Sequence, residues 1–124
     1  MYAAIREYSI KPKFINEVMQ RIQGEFLHII NREPGFTAYY AIRVGNNEVL
    51  TISVFETQAG AEGSTPMALE WVTRNLAGFV EGEPQTTVGW VFGSSLDLPL
   101  TSNYFDVVRR EQGGAIPGLF LTPP

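Results

Sequence analysis

The chain has 124 residues, 44% of them hydrophobic and 18% charged, with a net charge of −4. That length argues for one domain, two at most, and the composition is that of a globular chain, not a disordered one. Cysteine is absent, which excludes disulfides, thiolate catalysis and cysteine-held metal or iron–sulfur centres. One histidine, His28, gives a metal or haem at most one imidazole per chain. The acidic balance, with only two lysines, argues against a nucleic-acid partner. No apolar run approaches the roughly 18 residues of a membrane span. The charges at Arg6, Glu7, Lys11 and Lys13 fall where a signal peptide needs an apolar core, so a cytoplasmic location is expected.

Tyr2–Ile10 lacks turn residues and reads as a strand. Pro12 suits the start of a helix, where a missing N–H costs nothing. From there Ile15, Val18, Met19, Ile22, Phe26, Ile29 and Ile30 fall on one helical stripe, with Glu17, Arg21, Gly24, Glu25 and His28 opposite. Pro34-Gly35 ends this helix. A second strand, Phe36 to Val44, and a third, Glu48 to Glu56, flank the turn Gly45-Asn46-Asn47. A three-residue loop pairs Ile42 with Leu50, Tyr40 with Ile52 and Ala38 with Val54, whereas a two-residue loop sets apolar against polar; the pattern selects the longer loop. A second helix, Gln58 to Ala77, is capped by Thr57. Pro66 predicts a break in it, with Thr65 capping a fresh segment whose core stripe is Leu69, Val72 and Leu76. Gly82 to Pro84 ends that unit, and Thr86 to Phe92 is the fourth strand.

The order β-α-β-β-α-β predicts an α+β fold: the ferredoxin-like split βαβ sandwich over residues 1–93, a four-stranded antiparallel sheet with helices on one face. Residues 94–124 form a C-terminal extension. Within it Pro99 marks a linker, Asn103 caps a short helix from Tyr104 to Gln112, and the apolar tail from Ala115 to Pro124 packs on its own or a partner chain. The face away from the helices is assigned Thr37, Tyr39, Ala41 and Arg43 with Val49, Thr51, Ser53 and Phe55. That mixture is too apolar for open water, so a homodimer through this face is expected, and a charge at Phe55 should dissociate it. The competing expectation is a monomer whose tail covers the face.

Arg6, Tyr8, Tyr40 and Arg43 are strand residues able to hydrogen-bond a small molecule. Met67 and Trp71, one helical turn apart, make a second apolar strip beside the stripe. Trp71 either packs the tail or dimer, or walls a ligand site. The candidate ligand set is therefore Trp71, Tyr40, Arg6, Tyr8 and Met67. His28, among Glu25, Arg21 and Arg32, reads as a surface residue, and Glu81 and Glu83 as solvated turn residues. Phosphate-loop, dinucleotide, nucleophile-elbow and calcium-loop patterns are all missing.

The segment Glu33-Pro34-Gly35-Phe36-x-x-Tyr39-Tyr40, then Thr51-Ile52-Ser53-Val54-Phe55-Glu56 and a helix bearing Trp71, resembles the antibiotic biosynthesis monooxygenase-like superfamily over residues 1–93. The resemblance implies a dimeric α/β barrel with a ligand cavity between helices and sheet, and in some members oxygenation without a bound cofactor. Trp71 would match the helix tryptophan of those enzymes. The asparagine that they carry one turn earlier is Met67 here, which removes a hydrogen-bond donor. Haem-degrading relatives need an axial histidine after the second helix, and Leu76-Ala77-Gly78-Phe79 has none. Two functions follow as expectations: a possible cofactor-independent monooxygenase acting on a small apolar or aromatic molecule, or a non-catalytic ligand- or partner-binding accessory domain. Elemental analysis and visible absorption of the purified protein should find no stoichiometric zinc and no Soret band.

Overall fold

The computed structural model describes residues 1–95. Its chain divides into Met1–Phe92 and a second unit, Gly93–Pro124. The Pro99 linker, the Asn103-capped helix and the apolar tail lie outside the described residues.

Tyr2–Ile10 forms β1. Pro12–Phe14 makes a single 3₁₀ turn that leads into α1, Ile15–Arg21. Ile22–Phe26 then winds as a π turn before α2, Leu27–Ile30. Residues four apart drift by about 40° around a regular helix. The wider π turn takes up that drift, so Ile22, Phe26 and Ile30 all stay buried under the same face. Sequence spacing predicts one uninterrupted helix here and does not reveal the π turn.

The strands β2, Phe36–Val44, and β3, Glu48–Phe55, join through Gly45-Asn46-Asn47. Gly45 supplies the positive φ of 63° that the turn needs. Ile42 faces Leu50, Tyr40 faces Ile52 and Ala38 faces Val54, the register expected from the pattern. Next comes α3, Gln58–Asn75, whose Thr57 Oγ1 accepts a hydrogen bond from the backbone N of Gly60 at 3.0 Å.

Two expectations about the second half are corrected. Pro66 does not break α3, which runs through it. The ring sits on the exposed side, where water can serve the Glu62 carbonyl that loses its partner. Ser64 meanwhile donates to the Ala61 carbonyl at 2.7 Å within the same turn. The buried positions of α3 are Ala61, Ser64, Ala68 and Trp71, while Leu69 and Val72 are half-buried at the flank. Trp71 is thus on the core stripe, not beside it. β4 spans Val80–Trp90 and begins six residues earlier than predicted. Gly82, at φ 71°, and Pro84 lie inside it, where the pairing with β1 slips between Glu7 and Ser9. An edge strand tolerates a proline and a bulge that a central strand would not.

The sheet has the order β2-β3-β1-β4 and every pairing is antiparallel, so the described fold is the α+β ferredoxin-like sandwich. The helices cover the face bearing Ala4, Arg6, Tyr8 and Ile10 of β1 and Val49, Thr51, Ser53 and Phe55 of β3, all buried. This inverts the face assignment of the sequence reading. Tyr39, Val49, Thr51, Ser53 and Phe55 lie under the helices, and the far face carries Ile5, Leu50, Ile52 and Val54 with the exposed Tyr40, Ile42 and Val44. The register was legible, but both faces mix apolar and polar residues, and the hydroxyls of Thr51 and Ser53 made the inner one look wet. Phe55, 1% exposed and edge-on to Phe36 at 5.8 Å, is core. A charge there would unfold the domain instead of parting two chains. By urea denaturation, Phe55→Ala should cost about 3–5 kcal/mol, and Thr57→Ala, which removes the α3 cap, about 1 kcal/mol.

Candidate functional site

Midway along β1, Arg6 points under the helices and is 0% exposed. Its Nη2 donates to Ser53 Oγ on β3 at 2.6 Å. Nη1 donates to Ser64 Oγ and Thr65 Oγ1 on α3, each at 3.3 Å. The small Ala61, Ser64 and Ala68 side chains of α3 let that helix lie close enough to the sheet for these bonds. Nε has no partner. Among the described residues the ion pairs are Glu17–Arg21 and Glu70–Arg74, both on helix surfaces, and no carboxylate reaches Arg6. A guanidinium stays cationic in proteins, so the interior holds a positive charge solvated only by neutral hydroxyls. Burying an ion without a counterion costs several kcal/mol.

Around this charge stand two phenols and a further hydroxyl. Thr51 is the direct cross-strand partner of Arg6, and Tyr8 follows Arg6 on the same face of β1. Tyr39 of β2 lies across from Ser53. Burial pushes the Tyr8 hydroxyl above its ordinary range, with the Arg6 charge and the Arg6 and Thr51 side chains pulling it back. Burial raises Tyr39 further, Tyr8 adds to the rise, and Arg6 and Thr51 oppose it. The Thr51 hydroxyl is near enough to act on both phenols, yet it meets no partner in good hydrogen-bond geometry.

Aromatic rings close the other side. The Phe26 ring, delivered by the π turn, packs 5.5 Å from Tyr39 and 5.2 Å from Trp71. Arg21 secures this side, donating from Nη1 to the Asn75 carbonyl at the end of α3 at 2.7 Å. Tyr8, Thr51, Phe26, Tyr39 and Trp71 line a space with a free volume of only about 10 Å³, room for a water at most. Beside it a groove of about 230 Å³ runs between Met19, Ile22, Gln23 and Leu27 of the first helix and Tyr39, Ala41 and Arg43 of β2. Ile22, Tyr39 and Val49 wall both spaces.

Of the residues singled out from sequence, Arg6, Tyr8 and Trp71 come to the same inner layer. Tyr40 does not join them: it is on the far face of the sheet and 50% exposed. Met67 is half-buried against the core and lines neither space. Arg43 walls the groove, with Nε donating to the Gly45 carbonyl at 2.7 Å. His28 is exposed on α2. Sequence reading missed Tyr39, Thr51, Ser53 and Ser64 as a group. The available signal was the alternation Thr51-x-Ser53 on a central strand opposite an arginine at the middle of β1. Among the described residues no group of histidine and carboxylate side chains is arranged to hold a metal ion.

No family model matches the sequence, and no curated protein is significantly similar to it. Solved structures share its fold, and among them are antibiotic biosynthesis monooxygenase-like proteins. A protein of unknown function from Nitrosomonas europaea superposes with a TM-score of 0.67 at 19% identity, over 81% of this chain and 95% of that one. A monooxygenase of Streptomyces coelicolor, crystallised with nanaomycin D, gives 0.62 at 16% identity, over 79% and 91%. A variant of a cofactor-independent oxygenase from Streptomyces nogalater gives 0.55 at 15% identity, over 76% and 95%. At these identities the likeness is one of fold alone.

The buried phenols set an alkaline limit on stability. Their raised folded-state values mean that the unfolded chain loses its tyrosine protons first, near the ordinary value of 10.0. Stability contributed by Tyr8 and Tyr39 is therefore complete below pH 10 and declines above it. Urea denaturation between pH 8 and 11 should show that decline, and Tyr39→Phe should make it shallower.

Proposed function

We propose that this chain works as a cytoplasmic homodimer, a dimeric α/β barrel that binds a compact planar aromatic molecule in the groove between the first helix and β2. The observation that carries this reading is the groove itself, whose inner end is Tyr39, backed by Phe26, Trp71 and the hydroxyls around Arg6. Its volume of about 230 Å³ falls below the roughly 300–1,000 Å³ of a drug-sized pocket, which favours two or three fused rings over anything larger. The structures of like fold that carry nanaomycin D or act as a cofactor-independent oxygenase support the same ligand class and, for this chain, oxygenation without a bound cofactor. With Met67 lining neither space, the side chains with hydrogen-bond donors on the groove wall are Tyr39, Gln23 and Arg43.

The alternative, a non-catalytic binding domain, draws on a different observation. The space beside Trp71 is filled by side chains down to about 10 Å³, so no ring enters it without a rearrangement. Ligand binding is common to both readings, and turnover of a hydroxynaphthoquinol in the presence of oxygen separates them.

The far face of the sheet supports the dimer. Tyr40, Ile42 and Val44 are exposed there beside Ile5, Leu50, Ile52 and Val54, an apolar patch of the kind that marks an interface. A second copy related by a two-fold axis matches it in character. Light scattering at micromolar concentration should give twice 13.8 kDa. Ile52→Asp, on that face, should give a folded monomer. A monomer before substitution refutes the assembly.

Binding is tested by fluorescence. Trp90 is 66% exposed on β4 and Trp71 only 8%, so Trp90→Phe isolates the inner tryptophan. Titration with 2-methoxy-1,4-naphthoquinone should quench Trp71 saturably. Quenching that rises linearly without limit, as by collision, both with this compound and with 2-hydroxy-1,4-naphthoquinone refutes the groove as a binding site.

A further inference from the structure

We infer that the groove selects aromatic ligands bearing an ionised oxygen, a phenolate or enolate, and that Arg6 is the positioning residue behind that choice. The inference rests on the binding role proposed for the groove. It starts from the two buried side-chain polar atoms that have no hydrogen-bond partner among the described residues, Arg6 Nε and Thr51 Oγ1. They belong to residues that face each other across β1 and β3 on the same side of the sheet. A guanidinium has five N–H donors and no acceptor. Three bonds to hydroxyl oxygens fix its plane, but they supply dipoles and no negative charge. Tying the sheet to α3 calls for hydrogen-bond donors but not for a net charge, and an uncompensated buried charge is costly.

A cation at one end of a hydroxyl cluster gives the cluster a direction. Oxygens turn toward Arg6 and O–H bonds turn away. Thr51 pairs with Arg6 across the strands, Tyr8 follows Arg6 on the same face of β1, and Tyr39 lies across from Ser53, which accepts from the guanidinium at 2.6 Å. Of the two phenols, Tyr39 also walls the groove. Polarised this way, the Tyr39 hydroxyl donates outward, and the acceptor that gains most is an anionic oxygen. Arg6, Thr51 and Ser53 are all buried and the space beside Thr51 and Tyr39 is about 10 Å³, so the charge is weakly screened along this path. A ligand anion would supply the negative charge that the interior lacks.

Among the described residues one cation lines the groove itself. Arg43 is exposed at its rim and donates to the Gly45 carbonyl. Water and salt screen a rim charge strongly, so it should add little in 0.3 M salt.

The test compares 2-hydroxy-1,4-naphthoquinone, which is ionised at neutral pH, with its neutral methyl ether. Both are titrated against Trp71 emission in the Trp90→Phe protein at pH 7 and 0.3 M salt. The anion should bind at least about tenfold more tightly, as a charge-assisted hydrogen bond implies. Arg6→Gln should bring the ratio close to one, Arg6→Lys should restore much of it, and Tyr39→Phe should lower it. Arg43→Gln should leave most of it in place. Circular dichroism and thermal melting establish that each variant is folded. Should Arg6→Gln fail to fold, the ratio in the Trp90→Phe protein and its loss in Tyr39→Phe decide the matter. Equal affinities, a ratio unmoved by Arg6→Gln, or one abolished by Arg43→Gln would overturn the inference and leave the groove as an aromatic site. Saturable binding of neither compound would remove both.

Discussion

The domain is organised around a charge that it does not neutralise. Arg6 is central on β1, and its three hydrogen bonds reach β3 and α3 at once, joining the sheet to the longer helix. Several features of the surroundings serve that contact. Small residues on the inner stripe of α3 let the helix approach. Ser64 satisfies its own proton on the Ala61 carbonyl and so presents oxygen to the guanidinium. Pro66 faces outward, where the lost helical hydrogen bond falls on water and not on the interior. In an interior of low dielectric, a polar cluster either finds every partner or carries a large penalty. Here two atoms remain without one, which is why this cluster reads as a site and not as a core.

How much of this was legible in the sequence depends on what each signal measures. Strand pairing was readable because turn length and alternation both constrained it: Ile42 against Leu50 and Tyr40 against Ile52 follow from one loop length and from no other. Which face turned inward was not readable from the same alternation. Hydrophobicity assigns the wetter face to solvent, and Thr51 and Ser53 made the inner face of β3 the wetter one. The error and the candidate site therefore have a single cause. A domain that keeps polar groups beneath its helices defeats a rule that expects the interior to be the most apolar surface. Gly82 and Pro84 misled in a different way: they signal a strand end, but on an edge strand they are absorbed by a bulge. The π turn left no trace in spacing at all, since Ile22, Phe26 and Ile30 fit an ordinary amphipathic helix.

The π turn deserves its place beside the buried charge because it connects the first helix to the site. Phe26 is within it, and through that ring the helix touches both Tyr39 and Trp71. Ile22, at the other end of the turn, walls both the small space and the groove. Helical segments of this kind are uncommon and concentrate where a helix must depart from regular packing to serve a site. The division of labour is then clear. The first helix and β2 form the opening and the aromatic wall, while β1, β3 and α3 hold the hydroxyls and the charge behind it.

A core that gives positions to Arg6, Thr51, Ser53 and Ser64 forgoes the apolar burial those positions would otherwise contribute. Each aliphatic side chain fully buried is worth about 1.5–3 kcal/mol, so four such positions matter in a domain of this size. The far face of the sheet is the remaining source of that burial. Leu50, Ile52 and Val54 alternate with Thr51 and Ser53 along β3, so on that strand each step that turns a hydroxyl inward turns an aliphatic group outward. In the proposed dimer those groups meet a second copy, and association recovers the stabilisation that the polar interior gives up. The period of two along β3 thus couples the chemistry of one face to the assembly of the other: the residues between its inward hydroxyls are aliphatic and face away from the helices.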